Sequence, residues 1–214
     1  MKNERKSKEE LEEIAKKVRL GIMDAVYYGK SGHPGGSLSI ADILTVLYFD
    51  EMNIDNENPN WEDRDRLVLS KGHCSPALYL CLANRGYFPV EDLKTFRNIN
   101  SYLQGHPDRK HIPGVDMSTG SLGQGLSSAN GMAISAKLDK KDYRVYCILG
   151  DGEIEEGQVW EAAMTANKYK LDNLCVIIDN NNLQIDGTID EVTSAKPIDD
   201  KFRSFGFEII KIDG

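Results

Sequence analysis

Two polar segments of this sequence combine residue types that could hold a metal ion beside a phosphate group. Gly150, Asp151 and Gly152 offer one carboxylate, and residues 180–182 offer three asparagine side chains after 27 intervening positions. Such oxygen ligands suit octahedral Mg²⁺, which usually keeps phosphate oxygens among its ligands. The glycines would let backbone approach a diphosphate closely. Because Asp-Gly alone is ordinary turn chemistry, the indication depends on the two segments together.

Three histidines lie in short segments that contain glycine. His33 lies in residues 31–36 (SGHPGG), His73 in residues 70–73 (SKGH) and His106 in residues 105–107 (GHP). Imidazole titrates near neutral pH and can both accept and donate a proton during catalysis. A Gly-His-Pro segment taken alone is equally well explained as a turn. We expect His111, which matches no such segment, at the surface.

The pattern of apolar residues predicts the elements that would position these side chains. Helical spacing predicts helices over residues 7–28 (with Ser7 as a possible N-cap), 39–49, 76–85, 123–138 and 159–169. Apolar runs predict strands at residues 67–69, 144–149, 174–178 and 207–212, and the second and third read as strands buried on both faces. Strands separated by helices predict an α/β fold with a doubly wound, mostly parallel sheet and helices on both faces.

That fold makes a prediction about where a ligand would bind. In open α/β sheets the binding site lies beyond the carboxyl ends of the strands. Residues 70–73, 150–152 and 179–182 each follow a predicted strand. We therefore expect these three segments to meet at one edge of the sheet.

The composition is that of an ordinary globular domain. The 214 residues are 40% hydrophobic and 28% charged, which predicts one domain over residues 1–214. A net charge of −8 disfavours nucleic-acid binding, and no apolar run is long enough to predict a membrane span. Four separate cysteines (Cys74, Cys81, Cys147 and Cys175) are expected as buried free thiols rather than disulfides or zinc ligands, and a cytoplasmic location follows by default.

The polar segments, taken in order, resemble those of transketolases over essentially the whole chain. Six segments carry the resemblance: residues 31–36, 70–73, 105–107, 118–125 (STGSLGQG), 150–157 (GDGEIEEG) and 179–187 (DNNNLQIDG). Ser121 stands where the family commonly has proline. The resemblance implies the thiamine diphosphate-binding fold. It also implies transfer of a two-carbon ketol group from a ketose phosphate to an aldose phosphate, as in the pentose phosphate pathway.

The resemblance also implies roles for individual residues. Mg²⁺, or Ca²⁺ or Mn²⁺ in its place, would be held by the side chains of Asp151 and Asn181 and by the backbone carbonyl of Leu183. Residues implied to contact the cofactor are His73, Gly120, Ser121, Leu122, Asp151, Gly152, Glu156 and Asn181. Those implied to act on the ketose are His33, His73 and His106.

The resemblance further implies that this chain needs a partner. The catalytic glutamate, the pyrimidine pocket and the sugar-phosphate arginines of the family have no counterpart here, so the domain is expected to be truncated at its C-terminal end. The chain resembles the amino-terminal subunit of split transketolases, which implies a C-terminal, pyrimidine-binding partner and a homodimer or heterotetramer. We expect an exposed apolar patch at Leu122, Leu126 and the helix after Glu156.

Three alternatives remain open at this stage. A 1-deoxyxylulose-phosphate synthase would use the same cofactor, and the histidine segments favour transketolase over it. A non-catalytic cofactor-binding module would need the Asp/Asn pair but not three histidines. A dinucleotide-binding domain is disfavoured because no G-x-G-x-x-G follows an early strand.

Overall fold

The computed structural model of the protein describes residues 5–184 and 187–213. Its helices are α1 (Lys8–Gly29), α2 (Pro34–Ser39), α3 (Ala41–Val46), α4 (Ser75–Asn84), α5 (Gly125–Leu138), α6 (Gly157–Lys168), α7 (Ile189–Val192) and α8 (Ile198–Ser204). Its strands are β1 (Arg66–Leu69), β2 (Val145–Gly150), β3 (Leu174–Asp179), β4 (Leu183–Gln184) and β5 (Gly187–Thr188). Within the described residues, no helix is long and apolar enough to cross a membrane.

The main sheet contains three parallel strands in the order β1-β2-β3. Its register places Leu69 beside Ile148 and Gly150 beside Asp179. All three strands therefore end at the same edge, as the sequence predicts. The short strands β4 and β5 form a separate antiparallel pair.

Helices cover both faces of this sheet, which confirms the doubly wound α/β fold. On one face α1, α3 and α4 pack against Leu67 and Leu69 of β1 and against Tyr146 and Ile148 of β2. On the other face α5, α6 and α8 pack in a second apolar cluster that includes Val68. Alternate residues of each strand point to opposite faces, so β1 and β2 contribute to both clusters.

The first helix shows how local sequence sets its ends. Ser7 Oγ accepts a hydrogen bond from Glu10 N at 3.2 Å, and the Glu10 carboxylate accepts one from Ser7 N at 2.8 Å. This reciprocal pair is a capping box, which confirms Ser7 as the N-cap. The helix ends at Gly29, and its C-cap residue, Lys30, lies in the left-handed region (φ 49°). The residue range predicted from the sequence is correct to within one position at each end.

The predicted helix over residues 39–49 is divided in the structure. Helix α2 ends at Ser39, Ile40 takes φ −105° and ψ 9°, and α3 then begins at Ala41. A π-helical turn, Leu47–Glu51, follows α3. The earlier start is explained by Pro34, whose fixed φ suits the first turn of a helix.

Two expectations about the last part of the chain are wrong. Residues 207–212 do not form a strand: their backbone pairs with no neighbouring strand in the described structure, and Ile210 and Ile212 are 83% and 84% exposed. Strand β3 is not buried on both faces: its last residue, Asp179, is buried, and the five residues before it are exposed or partly exposed. Cys175 of β3 is exposed, whereas the other three cysteines are buried, and all four are free thiols.

Candidate active site

The three polar segments meet at the carboxyl edge of the sheet. Ser70 N donates to Ile148 O at 2.9 Å, and Asp151 N donates to Asp179 O at 3.1 Å. These bonds continue the pairing of β1, β2 and β3 by one step beyond the strands. The segments that follow the three strands are thereby fixed side by side.

Asp151 presents a buried carboxylate at this edge. The residue is only 2% exposed. Oδ1 accepts a hydrogen bond from Gly152 N at 3.0 Å and Oδ2 accepts one from Asn182 N at 2.6 Å. Burial raises the pKa of Asp151, and these two backbone donors oppose the rise. The carboxylate is therefore oriented by backbone donors and is poorly solvated. A cation close to it would favour its charged form.

Asn181 and Leu183 lie beside Asp151 on the segment that follows β3. Asn181 Nδ2 donates to Asp179 Oδ2 at 3.1 Å, and Asn181 Oδ1 accepts from Leu183 N at 2.9 Å. The side chain of Leu183 is a hydrocarbon without donor atoms, so only its backbone carbonyl could serve as a ligand. Ile185 and Asp186, which complete the predicted segment, lie outside the described residues.

The charges at this edge fit a bound cation. Asp151, Glu153 and Asp179 are all buried there, and Lys71 supplies one buried ammonium group. No group of three His, Cys, Asp or Glu side chains in the described structure could hold a metal ion by itself. A cation would have to combine Asp151 with neutral oxygens of Asn181 and Leu183 and with oxygens of a bound ligand. That donor set suits Mg²⁺, which commonly completes its shell with substrate phosphate.

The histidine segments converge beside these residues. The rings of His33 and His73 lie edge to face, with centroids 5.2 Å apart. His33 and His106 are exposed and His73 is half-buried. Burial, followed by the charge of Lys71, lowers the pKa of His73 to about 4. Burial and then the charge of Arg97 also lower the pKa of His33 and of His106. All three imidazoles are thus neutral at pH 7 and can accept a hydrogen bond, but a pKa of about 4 makes His73 a weaker proton acceptor than the sequence predicts.

Glycine is required where the loop at residues 118–125 approaches two of these segments. Gly120 has φ 139°, and a Cβ there would lie 2.8 Å from His106 Cδ2. A Cβ on Gly72 would lie 2.8 Å from Gly120 N. Side chains at either position would push the loop away from His73 and His106. Ser121 and Leu122 are exposed on this loop, next to the converging segments.

Glu153 ties the same loop to the end of β2. Its Oε1 accepts from Gly123 N at 2.9 Å and also from Ser70 Oγ, and its Oε2 accepts from Gly150 N at 3.0 Å. A Cβ on Gly123 would lie 2.7 Å from Glu156 Cβ, so the loop contacts the start of α6 at Glu156. Glu156 itself is exposed.

The structure adds residues to the site that the sequence reasoning left without a role. These are Ser39, Lys71, Glu153 and Asp179, all bonded to predicted segments. A signal for two of them was available, because Lys71 and Asp179 lie within two residues of predicted apolar strands, where charged residues are rarely buried unless paired. In the predicted exposed apolar patch, Leu122 is 38% exposed but Leu126 is fully buried. The prediction that Leu126 belongs to an exposed patch is wrong. His111 is exposed and pairs with Asp108, as a surface histidine.

The comparison of the sequence with protein families decides the assignment. Residues 11–214 match the family described as the transketolase, thiamine diphosphate binding domain. The chain belongs to this family. The match spans all six segments that carry the resemblance, including those that meet at the carboxyl edge.

Relatives of this transketolase-family chain include proteins named as separate subunits. It is 50% identical over 204 residues to the 6-deoxy-6-sulfo-D-fructose transketolase subunit SqwG of Clostridium sp. (strain MSTE9), covering 95% of this chain and 70% of that one. It is 46% identical to one of the named subunits of the apulose-4-phosphate transketolase of Phocaeicola vulgatus, covering 96% and 73%. Human transketolase is 43% identical, and there the match covers 95% of this chain but 33% of the relative.

Solved transketolases have the same fold. The Campylobacter jejuni enzyme superposes with a TM-score of 0.89 at 38% identity, covering 95% of this chain and 33% of that chain. The Leishmania mexicana enzyme gives a TM-score of 0.90 at 35% identity, covering 98% and 32%. The transketolase-family chain therefore spans about a third of these solved enzymes.

Proposed function

We propose that this chain supplies the diphosphate, metal and ketose-hydroxyl contacts of a transketolase whose remaining contacts come from a second polypeptide or domain. The reaction is transfer of a two-carbon ketol group from a ketose phosphate, or a similar anionic ketose, to an aldose phosphate. The observation that carries the proposal is the convergence of Asp151, Asn181 and the three neutral histidines at one edge of the sheet. Membership in the thiamine diphosphate-binding family identifies the cofactor as thiamine diphosphate.

The proposed metal site uses side chains that hydrogen bonds from the backbone hold in place. Asp151 and Asn181 would hold Mg²⁺ through their side-chain oxygens and Leu183 through its carbonyl. Ca²⁺ or Mn²⁺ could replace it, since these cations take similar oxygen ligands. Gly152 would contact the diphosphate, since a residue without a side chain allows close approach of the backbone. The half-buried His73 would also contact the cofactor.

The aminopyrimidine and thiazolium end of the cofactor would lie toward the loop at residues 118–125. Gly120, Ser121 and Leu122 would line it there. Glu156, exposed at the start of α6, would lie where the second polypeptide completes the site. When bound, thiamine diphosphate supplies a nucleophilic carbon and an electron sink for the carbon chemistry.

The histidines would handle the protons and hydroxyls of the sugar. A neutral imidazole can hydrogen-bond a hydroxyl group and then take its proton. His33, His73 and His106 come from three segments, so together they can contact neighbouring oxygens of one ketose. A module that only binds cofactor would have no use for this cluster, which favours an enzymatic function.

The relatives' names support a partner and suggest the kind of substrate. Two of them are named as subunits of transketolases, for 6-deoxy-6-sulfo-D-fructose and for apulose 4-phosphate. Both names describe a sugar that carries an anionic group. We infer that this chain likewise works with a pyrimidine-binding protein or domain, in a homodimer or heterotetramer, on an anionic ketose.

The test is a complementation assay. The chain is assayed with thiamine diphosphate, Mg²⁺, xylulose 5-phosphate and an aldose phosphate, first alone and then with a C-terminal transketolase polypeptide. We expect no measurable ketol transfer from the chain alone and turnover in the mixture. Robust turnover by the chain alone would refute the need for a partner. Turnover with pyruvate but not with the ketose phosphate would instead identify a 1-deoxyxylulose-phosphate synthase.

A further inference from the structure

Asp179, the last residue of β3, bonds to three side chains from separate parts of the chain. Its Oδ1 accepts a hydrogen bond from Ser39 Oγ at 2.7 Å. Its Oδ2 accepts from Lys71 Nζ and, at 3.1 Å, from Asn181 Nδ2. We call Ser39, Lys71, Asp179 and Asn181 the Asp179 cluster. Only Asn181 among them has a role in the function proposed above.

Each member of the cluster lies close in sequence to a residue of the site. Ser39 ends α2, the helix that begins directly after His33. Lys71 precedes His73 by two residues. Asn181 is the proposed metal ligand. One carboxylate therefore joins the first and second histidine segments to the metal-binding segment.

The carboxylate also determines how the amide of Asn181 is oriented. An ionised carboxylate only accepts hydrogen bonds, and an amide donates only from its nitrogen. Nδ2 must therefore face Asp179, which turns Oδ1 away from it, toward Leu183 N at 2.9 Å. A second lone pair of Oδ1 stays available for a cation. An amide at position 179 could donate as well as accept and would no longer select this orientation.

Lys71 gives the cluster its charge balance. The residue is 2% exposed and Asp179 is 7% exposed. A buried ammonium group without a partner is costly, so the pair is needed to keep Lys71 in place. The charge of Lys71 also adds to burial in lowering the pKa of His73. The cluster thus affects the second histidine electrostatically as well as by position.

We propose that Asp179 is a positioning residue that couples the metal site to the ketose-binding histidines. It holds the amide of Asn181 with its oxygen toward the cation. Through Ser39 and Lys71 it holds the segments that carry His33 and His73. This inference rests on the proposed function, because it takes Asn181 as a metal ligand and the histidines as ketose ligands.

The test measures cofactor binding and ketose use separately in the full chain with its partner polypeptide. Calorimetric titration gives the magnesium-dependent affinity for thiamine diphosphate, and steady-state assays give KM for the ketose. For Asp179→Asn we expect an affinity lower by ~10-fold or more, the usual effect of removing a group that orients a metal ligand. We also expect a higher KM. Wild-type values for both quantities would overturn the proposal.

A second variant separates the two arms of the cluster. Ser39→Ala removes one exposed hydroxyl and no charge, so the fold is kept. Its magnesium-dependent cofactor affinity should be unchanged, while KM for the ketose should rise about threefold, as for one lost hydrogen bond. Ser204→Ala is the matched control, because its exposed hydroxyl bonds to Lys201 O in its own helix. An unchanged KM in Ser39→Ala would overturn the link to the first histidine segment.

Two further variants keep the result interpretable. If Asp179→Asn fails to fold with Lys71 unpaired, Lys71→Met combined with Asp179→Asn removes both charges and is judged by the same criteria. Asp151→Ala reports on the proposed function itself. Lost binding in Asp151→Ala with normal binding in Asp179→Asn would overturn only the positioning role. Normal binding in both would overturn the metal site.

Discussion

The two ends of the same three-stranded sheet bury charge in different ways. At the amino end, the carboxylate of Asp116 pairs with Arg64 Nη1 at 2.5 Å and Arg66 Nε at 4.0 Å, and accepts from Leu67 N at 2.8 Å. At the carboxyl end, Lys71 is the ammonium group set among three buried carboxylates (Asp151, Glu153 and Asp179). At the amino end, the cations are the side chains of Arg64 and Arg66. The carboxyl end has an excess of negative charge that a bound cation would neutralise.

We infer that the charges at the amino end serve the fold and that those at the carboxyl end serve a ligand. At the amino end two arginines match the charge of Asp116, and burial still raises the pKa of its carboxyl group. A cluster with unmatched carboxylates, neutral histidines and glycines in close approach is costly unless something binds there. We therefore expect substitutions at the amino end to change stability, and substitutions at the carboxyl end to change binding and turnover.

The largest effect is expected at the amino end. Asp116→Ala leaves Arg64 and Arg66 partly buried without their carboxylate, and should lower the free energy of unfolding by about 3–5 kcal/mol. Urea denaturation measures this. The control is Asp172→Ala, whose pair with Lys137 is exposed and should contribute little. Cofactor affinity per folded molecule should stay normal in both variants, and a selective loss of affinity in Asp116→Ala would show that the two ends are not independent.

The next effect is on turnover. In the complex with its partner, His106→Ala should lower kcat by ~10²-fold or more, the scale of a lost acid–base group. The melting temperature should barely move, since His106 is exposed. His111→Ala is the matched control, a surface histidine paired with Asp108. Unfolding of His106→Ala with normal activity per folded molecule would assign His106 to the fold instead.

The third effect is on the pH dependence of stability. The folded state lowers the pKa of His73 from 6.5 to about 4. Between these values the unfolded chain binds the extra proton, so this contribution is present above pH 6.5 and is lost as the pH falls toward 4. Melting curves should therefore show that His73→Asn loses less stability than wild type over this interval. Equal losses in the two proteins would mean that His73 is not held neutral by the fold.

Much of the fold could be predicted because local sequence dictated it. The buried face of α1, the capping box at Ser7 and the apolar run of β2 each identify their element without long-range information. The strand predicted at residues 207–212 failed because a strand needs a neighbour, and hydrophobicity alone does not supply one. Strand β3 makes a related point, because its apolar run reads as fully buried although the residues before Asp179 are exposed or partly exposed in the described structure.

The site was predictable in outline but not in its connections. Strand-end glycines, asparagines and histidines indicate which segments meet, because parallel strands end at one edge. In this cluster, Asp179 bonds to Ser39, which is 140 positions away in the sequence, and to Lys71, which is 108 positions away. No local pattern encodes such a pairing. The registers of β1 against β2 and of β2 against β3 bring the segment with Lys71 to the end of β3.

The central claim is that the carboxyl edge of the sheet binds thiamine diphosphate through a divalent cation held by Asp151. The most direct test is calorimetric titration of the cofactor into the chain with its partner polypeptide, with Mg²⁺ and with chelator, for wild type and for Asp151→Ala. We predict magnesium-dependent binding by wild type and an affinity at least ~10-fold weaker in Asp151→Ala. Unchanged magnesium-dependent binding in Asp151→Ala would contradict the account.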